Sequence, residues 1–469
     1  MTKGKGERRR ENRNSCSYFN LRARHRAGGC FSDRGRGDWI KQDPRLHFLT
    51  SGLTQEASVD PQSSGGEEFL TAFLQNYNQK YSKAYLCLLL SSLSDSLTSV
   101  SILSQADGTT QKVTVRPGQS VLVNISAKAE MVGSNTFQHA VVVRADRAIS
   151  VQAVNAKPYT ADVTLLRPVH ALGTEYFVLT PSSPSSRNLK EFAVVAGAAG
   201  ASVSIQLKGS VTFKGKSYAA GHVLSVTLDP YQVAQVQSTA NLSGSKVTAS
   251  SPVAVLSGHS CAQKNSNCNH VVEQLLPTSA WGTRYVVPPL SFHSQHDVVY
   301  VMASQATKLT YHLGGTTRSR RLQAGKVAKF EIQQSRPLYL SADVGIQVLM
   351  FGAGTTKDGE TYDPHLVLIP DVAAYCPAYV VRSVPGSKGV ALVVAPTKAA
   401  DELTMDGQRL GAKLSWAAVP GSEFSYAELD FGTTDSVHVA EASTSFGLLI
   451  FGLDQDVSFG TAAACGRSE

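Results

Sequence analysis

A segment of about one hundred residues recurs four times in this chain, and the repeat constrains the fold more than any other sequence feature. Four stretches share a glycine followed by alternating strand residues: VTVRPGQSVLVNI (113–125), SYAAGHVLSVTL (217–228), RLQAGKVAKFEI (321–332) and AAVPGSEFSYAEL (417–429). The glycines are Gly118, Gly221, Gly325 and Gly421, and their spacings are 103, 104 and 96 residues. Each copy is therefore predicted to be one compact structural unit.

A second recurring element lies between the copies and supports the same register. It reads LLRPVHALGTEYFVLTP, LLPTSAWGTRYVVPP and LIPDVAAYCPAYVVRSVP. The aligned positions are Pro168, Pro277 and Pro370, followed by Tyr176, Tyr285 and Tyr379. A proline here fits a strand start, because proline donates no ladder hydrogen bond.

The residue pattern of each copy predicts an all-β fold. Short runs rich in Val, Tyr, Phe and Thr alternate with Gly, Pro, Asp and Asn, and 3.6-residue periodicity is scarce. About one hundred residues are enough for a two-sheet sandwich of about seven strands. The alternative is a closed, propeller-like ring, but propeller blades run roughly 40–50 residues and no half-period is visible within a copy. The sequence favours four tandem β-sandwich-like repeats.

This interpretation divides the chain into seven segments. They are a disordered basic tail (1–50), a Ser/Gly/Pro-rich linker (51–66), β repeats at 67–159, 160–262, 263–356 and 357–460, and a C-terminal tail (461–469).

The charge distribution argues against nucleic acid as a partner. The net charge is +8, but residues 1–46 hold 13 Lys/Arg and 5 Asp/Glu, which leaves 31 residues of each sign in the rest of the chain. The repeats are therefore neutral in sum, and we expect no clustered phosphate-binding surface on them. The apolar runs are too short for a membrane span, which needs about 20 residues.

One stretch, SGHSCAQKNSNCNH (257–270), has the residue types of a metal site. His259, Cys261, Cys268 and His270 could hold zinc across a hairpin, since each His–Cys pair shares one face of an extended strand. The spacing differs from common zinc motifs, however. We favour a disulfide between Cys261 and Cys268 over the metal site, because secreted β modules often carry such bridges.

The other cysteines fit an oxidising compartment only incompletely, because seven is an odd number and at least one is free or pairs outside the chain, whereas two glycosylation sequons suit that compartment. Cys87 is expected to be a buried thiol, Cys465 to pair outside the chain, and the pairing of Cys376 stays open. The sequons NIS and NLS predict glycosylation at Asn124 and Asn241.

Residues 252–290 carry a family resemblance. GHSCAQ, CNHVVEQLLP and WGTRYVV occur there in the order found in the N-terminal domain family of IgGFc-binding proteins, and residues 67–460 resemble that family more diffusely. The resemblance implies a secreted, mucus-associated protein that binds the Fc part of IgG. Two departures stand out. The family's cysteine-rich modules are missing, and the chain opens without a secretory signal. We therefore expect residues 1 to about 45 to come from a misassigned start.

These observations predict a secreted, non-enzymatic module that binds a protein, either IgG Fc or a mucus glycoprotein. The alternatives are a purely structural component of mucus or extracellular matrix, and a carbohydrate-binding module. The sequence contains no HExxH, GxSxG or dinucleotide-binding motif, and we predict no catalytic residue and no cofactor. It does not identify the binding residues or the oligomeric state.

Overall fold

The computed structural model describes residues 64–77, 83–183, 188–264, 268–333, 335–357, 360–382, 384, 386–433, 436–454 and 457–466. The predicted basic tail and most of the predicted linker lie outside these residues. The described part is almost entirely β-strand, which confirms the predicted all-β class.

The strands form four groups in chain order. Group I contains β1 (Gly66–Thr71), β2 (Tyr85–Ser92), β3 (Thr98–Ser104), β4 (Thr109–Val115), β5 (Ser120–Ile125), β6 (Asn135–Phe137), β7 (Val141–Lys157) and β8 (Thr160–Leu165). Group II contains β9 (Gly173–Phe177), β10 (Lys190–Ala196), β11 (Ala201–Gln206), β12 (Val211–Phe213), β13 (Lys216–Tyr218), β14 (Val223–Leu228), β15 (Val233–Ser238), β16 (Lys246–Gln263) and β17 (Cys268–Gln274).

Group III contains β18 (Arg284–Val287), β19 (Asp297–Ala303), β20 (Thr307–Leu313), β21 (Thr316–Leu322), β22 (Val327–Ile332), β23 (Leu338–Ala342), β24 (Ile346–Gly352), β25 (Thr355–Lys357), β26 (Glu360–Tyr362) and β27 (His365–Leu368). Group IV contains β28 (Cys376–Val381), β29 (Lys388–Pro396), β30 (Thr404–Met405), β31 (Gln408–Arg409), β32 (Ala417–Ala418), β33 (Phe424–Gly432), β34 (His438–Asp454), β35 (Val457–Ala462) and β36 (Ala464–Cys465). Short 3₁₀ helices lie at Ala127–Ala129, Val169–Ala171, Thr278–Ala280, Val372–Ala374, Thr397–Glu402 and Gly411–Lys413.

The same strand pairing recurs in each group. In group I the first half of the long strand β7 pairs with β1 and β3, and its second half pairs with β2 and β8. One strand thus serves two four-stranded sheets, β4–β3–β7–β1 and β5–β2–β7–β8, whose inner faces share one apolar core. Strands β16 and β34 do the same in groups II and IV. In group III the equivalent strand is divided into β23 and β24.

The burial pattern follows from this geometry. Strand β11 alternates buried Ala, Val and Ile with exposed Ser and Gln, because only one of its faces contacts a core. Strand β10 is buried at every position, because its second face packs against another group.

In groups I and II the last strand pairs with the group's own long strand, and in group III it pairs with β24, the second part of the divided strand. The hydrogen bonding therefore places the division between groups after β8, β17 and β27, whereas the sequence placed it before them. Residues 461–466 also differ from the predicted tail, because they complete β35 and form β36. The predicted repeats remain predictions as independently folding domains.

The aligned glycines lie in equivalent turns in three groups. Gly118, Gly325 and Gly421 have φ values of 62°, 65° and 79° in the turn before β5, β22 and β33. In group II that turn holds Tyr231 (φ 59°), followed by β15. Gly221 precedes β14 instead, so the sequence alignment is wrong there. The cause is the extra hairpin β12–β13, which has no counterpart in group I. Because of this insertion, the glycine at the expected spacing precedes β14 and not β15.

The prolines between groups are equivalent in two cases. Pro168 and Pro277 directly precede the 3₁₀ helices Val169–Ala171 and Thr278–Ala280. In the third linker Asp371 takes this place, and its carboxylate accepts the N–H of Ala373 at 2.9 Å. Pro370 is therefore one residue out of register.

The four groups close on one another. Strands β8, β17, β27 and β35 are here called the central strands. They contact one another in a cycle: β8 with β17, β17 with β27, β27 with β35, and β35 with β8. The choice between tandem sandwich-like repeats and a propeller-like ring stays a prediction, and the contacts show only that the four groups meet through these strands. Every group therefore contributes one strand to a common centre.

Candidate functional site

The centre of the molecule is a buried polar network between strands of different groups. Backbone N–H groups of β17 donate to side chains of β8 at alternate positions. The pairs are His270 to Thr160 (2.8 Å), Val272 to Asp162 (3.0 Å) and Gln274 to Thr164 (2.9 Å). Side chains here replace the backbone ladder that would otherwise satisfy these donors.

Asn269 joins all four groups. It lies on β17, and its Oδ1 accepts the N–H of Ala161 on β8 at 2.8 Å. Its Nδ2 donates to the carbonyl oxygens of Ala161 (2.7 Å), Pro364 in group III (2.8 Å) and Ser458 in group IV (3.1 Å). The side chain is fully buried, so these bonds satisfy a polar group that water does not reach.

Burial raises the pKa of two carboxyl groups in this centre. Glu273 accepts the Thr164 hydroxyl and the Leu368 N–H, each at 2.7 Å, yet burial raises its pKa to about 8. Burial also raises the pKa of Asp162 well above its usual range, and the nearby Glu273 adds to that effect. Both side chains are enclosed, so they connect strands and do not face a substrate.

A second buried cluster lies between groups I and II. Lys157 forms an ion pair of 2.7 Å with Glu130, and Gln237 donates to Glu191 at 2.7 Å. His270 lies 3.8 Å from the same Glu191. Burial lowers the pKa of His270 to about 3, so its imidazole is neutral near pH 7, and burial raises the pKa of Glu191 well above its usual range.

Cys261 and Cys268 form a disulfide between β16 and β17, with their Cα atoms 5.1 Å apart. The flanking histidines turn away from the sulfurs. His259 accepts the Cys261 N–H at 3.1 Å, and His270 contacts Asn155 at 3.2 Å. Among the described residues, no group of three His, Cys, Asp or Glu is arranged to hold a metal ion.

A second disulfide corrects the expectation for Cys465, which pairs within the chain with Cys376. It fastens β36 to β28, at a Cα–Cα distance of 5.8 Å. Cys87 is fully buried as expected, but it is disulfide-bonded, so the expectation of a free thiol is wrong.

Both sequon asparagines are exposed. Asn124 lies on the edge strand β5, beside an open cleft of about 510 Å³. Asn241 lies in the turn before β16, where its Oδ1 accepts the Ser243 N–H at 3.1 Å. Both positions leave room for a glycan, and glycosylation stays a prediction.

Two exposed tyrosines are each adjacent in the chain to one partner of a buried hydrogen bond, near the tip of the β7–β8 hairpin. The exposed fractions are 39% for Tyr77 and 50% for Tyr159. Their chain neighbours Asn76 and Thr160 are hydrogen-bonded at 3.2 Å. Tyr159 has a φ of 65°, an uncommon value for a residue other than glycine, and such conformations cluster at functional sites. We call Tyr77 and Tyr159 the tyrosine pair.

A basic strand corrects the expectation that the repeats have no positive cluster. Strand β21 carries the exposed Arg318, Arg320 and Arg321, and Lys308 lies opposite Arg321 on β20. The near-equal charge totals hid this cluster, although the run TTRSRRL was visible in the sequence. Among the described residues, no helix is long and apolar enough to cross a membrane.

Fold and surface together define the class: an all-β protein of four interlocked sheet groups, with buried polar contacts at the centre and exposed aromatic and basic positions. A sequence profile described as IgGFc binding protein matches residues 162–452. The human IgGFc-binding protein is 72% identical over 420 residues, which are 90% of this chain and 8% of that protein. The chain belongs to the IgGFc-binding protein family, which confirms the resemblance seen in the sequence.

Likeness to solved structures is weak. A Ca²⁺-stabilised ice-binding adhesin of an Antarctic bacterium is 11% identical with a TM-score of 0.13, covering 86% of this chain and 99% of that one. A major pilin of Streptococcus pyogenes is 6% identical with a TM-score of 0.14, covering 85% and 98%. Such low scores carry no structural argument.

Proposed function

We propose that the chain is a secreted, non-enzymatic module that binds protein, with the Fc part of IgG as its first ligand and mucus glycoproteins as the second. The observation that carries this proposal is the 72% identity, over 90% of the chain, to a protein named for binding IgG Fc. The chain spans only about 8% of that relative's length, so the activity must be tested on this chain itself.

The chemistry of the described residues supports binding over catalysis. The carboxyl groups with the most perturbed pKa values, Asp162, Glu191 and Glu273, are buried and occupied by contacts between strands. The disulfides support an oxidising compartment, since such bonds are rare in the cytosol.

The tyrosine pair is the surface that we assign to protein recognition. Tyrosine offers a large amphipathic contact area and loses little conformational entropy on binding, which is why it is enriched at interfaces. Both rings are partly exposed although the neighbouring residues Asn76 and Thr160 are fixed by buried hydrogen bonds. The backbone that presents them is thus held in place before a partner arrives.

The test is a titration of immobilised Fc and Fab fragments with the whole chain, expressed behind a heterologous secretory signal. We expect saturable binding to Fc and none to Fab. Tyr159→Asn removes the ring and suits the left-handed backbone, so it should weaken Fc binding about tenfold or more, as loss of an aromatic anchor does. Leu97→Ser, at a position 57% exposed elsewhere in group I, is the matched control and should bind like wild type.

The same titration separates the alternatives. Adhesion to mucin without saturable Fc binding would replace the proposal with a structural role in mucus. Adhesion that disappears when the mucin is deglycosylated would indicate carbohydrate binding instead.

A further inference from the structure

Strand β21 is the outer strand of the sheet β18–β23–β20–β21. One of its sides pairs with β20 along its whole length, and no strand among the described residues pairs with the other. Six consecutive residues, 316 to 321, are exposed. An edge of this kind offers unpaired backbone N–H and C=O groups to an extended chain.

The strand register places the charges on this edge, and a ring contact orients one of them. Arg318 and Arg320 share one face of β21, about 6.8 Å apart along the strand. Arg320 lies over the Phe330 ring at 5.6 Å from its centroid, and this contact orients its guanidinium. Arg321 lies on the other face, beside Lys308.

No carboxylate within the described residues neutralises the three guanidinium groups by an ion pair. The salt bridges of group III among the described residues involve Arg284 with Glu423, His293 with Asp297 and Glu331 with Lys264, and none of them includes β21. The outer strands β4 and β14 of groups I and II carry one lysine and no charged residue, respectively. Positive charge is therefore more concentrated on β21 than on β4 or β14.

We propose that β21 binds an extended acidic segment of a partner protein, which adds to the sheet as a further antiparallel strand. Acidic side chains at alternate positions of that segment pair with Arg318 and Arg320, and its backbone hydrogen-bonds to the free edge. This site is separate from the tyrosine pair and does not depend on Fc recognition. A peptide fits better than a sulfated glycan, because a glycan would leave the backbone edge unpaired.

The experiment measures fluorescence polarisation of labelled eight-residue peptides with the whole chain. The first peptide alternates Glu with Val or Thr. The second has the same composition with its Glu residues clustered, and the third is the first with alternate backbone nitrogens methylated. We expect the first to bind more tightly than the second, and the third not to bind, because methylation blocks strand pairing without changing charge.

Arg318→Ser combined with Arg320→Ser should weaken binding of the alternating peptide about five- to tenfold, the sum of two partly exposed charge pairs. Lys112→Ser combined with Lys216→Ser removes the same charge from other exposed strands and should bind like wild type. Unchanged thermal unfolding and Fc titration would show that the arginine variant is folded. Equal binding of the three peptides, or equal weakening by the lysine variant, would overturn the proposal. The proposal would also be overturned if dextran sulfate displaced the peptide and bound the chain as tightly as the peptide does. That result would show that the surface binds any polyanion.

Discussion

At the scale of single residues, three buried tyrosines perform the same structural task. The hydroxyls of Tyr176, Tyr285 and Tyr379 each accept a backbone N–H at 2.9–3.1 Å and donate to a carbonyl of the long strand at 2.6–2.7 Å. The donors are Gly173, Gly282 and Cys376, and the acceptors are Val253, Ile346 and Phe446. The acceptors of groups II and IV lie at bulges, where the strand passes from one sheet to the other. The tyrosines therefore satisfy backbone groups that no sheet pairs.

Tyr285→Phe should lower the free energy of unfolding by about 1–3 kcal/mol, because it leaves the Gly282 N–H and the Ile346 carbonyl without a partner in a buried place. The measurement is chemical denaturation. Tyr311→Phe is the matched control, since the Tyr311 hydroxyl makes no hydrogen bond among the described residues, and it should change stability by less than about 0.5 kcal/mol. Equal effects of the two substitutions would contradict this role.

The sequence aligned these tyrosines correctly but did not show their purpose. A repeated Tyr marks an equivalent position, while its hydrogen-bond partner lies some 60–80 residues away and follows from the fold alone. In group I the equivalent position holds Phe69, which is also fully buried. The alignment of Gly221 was wrong because many turns need a residue with positive φ, so a glycine does not identify one particular turn. In group II the residue with positive φ at the equivalent turn is Tyr231.

At the scale of strands, the disulfides Cys261–Cys268 and Cys376–Cys465 close loops of very different length. Cys261–Cys268 spans 7 residues within one hairpin, and Cys376–Cys465 spans 89 and ties the first strand of group IV to β36. A cross-link stabilises the folded state chiefly by restricting the unfolded chain, and the restriction grows with the loop that it closes. The longer loop should therefore contribute more.

Removal of Cys376–Cys465 by paired Cys→Ser substitutions should cost up to about 4.6 kcal/mol, and removal of Cys261–Cys268 up to about 2.4 kcal/mol. Denaturation of the two double variants measures both values, and each variant is the other's control. A larger loss from the short loop would show that local packing around Cys261, and not chain entropy, determines the effect.

The strand patterns predicted the all-β class but not the centre. In TADVTL (160–165) polar and apolar residues alternate, which is typical of a strand with one face in water, yet every position is buried. The polar face is covered by β17, whose backbone N–H groups donate hydrogen bonds to the polar side chains of this face. Periodicity reports that two faces differ, but it does not report whether the polar face meets water or another strand.

At the scale of the whole molecule, the four groups depend on one another. Asn269 bonds to groups I, III and IV, and Asp162 accepts N–H groups from groups II and III at 3.0 and 3.4 Å. A half-satisfied network of this kind is costly, because buried polar atoms lose water without gaining a partner. The closed cycle of central strands therefore links the stability of each group to the presence of the others.

Glu273 makes this stability depend on pH. Its carboxyl connects β17 to Thr164 of group I and Leu368 of group III, and its pKa in the folded state is about 8, against an ordinary value of 4.5. Between these values the unfolded chain has released the proton and the folded chain retains it. The contribution of the protonated Glu273 carboxyl to the free energy of unfolding is therefore complete below about pH 4.5. It is lost as pH rises to about 8, at about 1.4 kcal/mol per pH unit. The raised pKa of Asp162 changes stability with pH in the same direction. The positive charge of Arg167 lowers the pKa of Glu273 and so opposes the effect of burial.

Denaturation at pH 5, 6, 7 and 8 should therefore show falling stability for the wild type and a smaller fall for Glu273→Gln. The amide keeps an acceptor for the Leu368 N–H but cannot lose a proton. Glu67→Gln, at an exposed position of β1, is the matched control and should follow the wild-type profile. If Glu273→Gln and wild type lose stability at the same rate, the pH dependence belongs to Asp162 or Glu191, and the carboxyl of Glu273 is not the proton-retaining group of the centre.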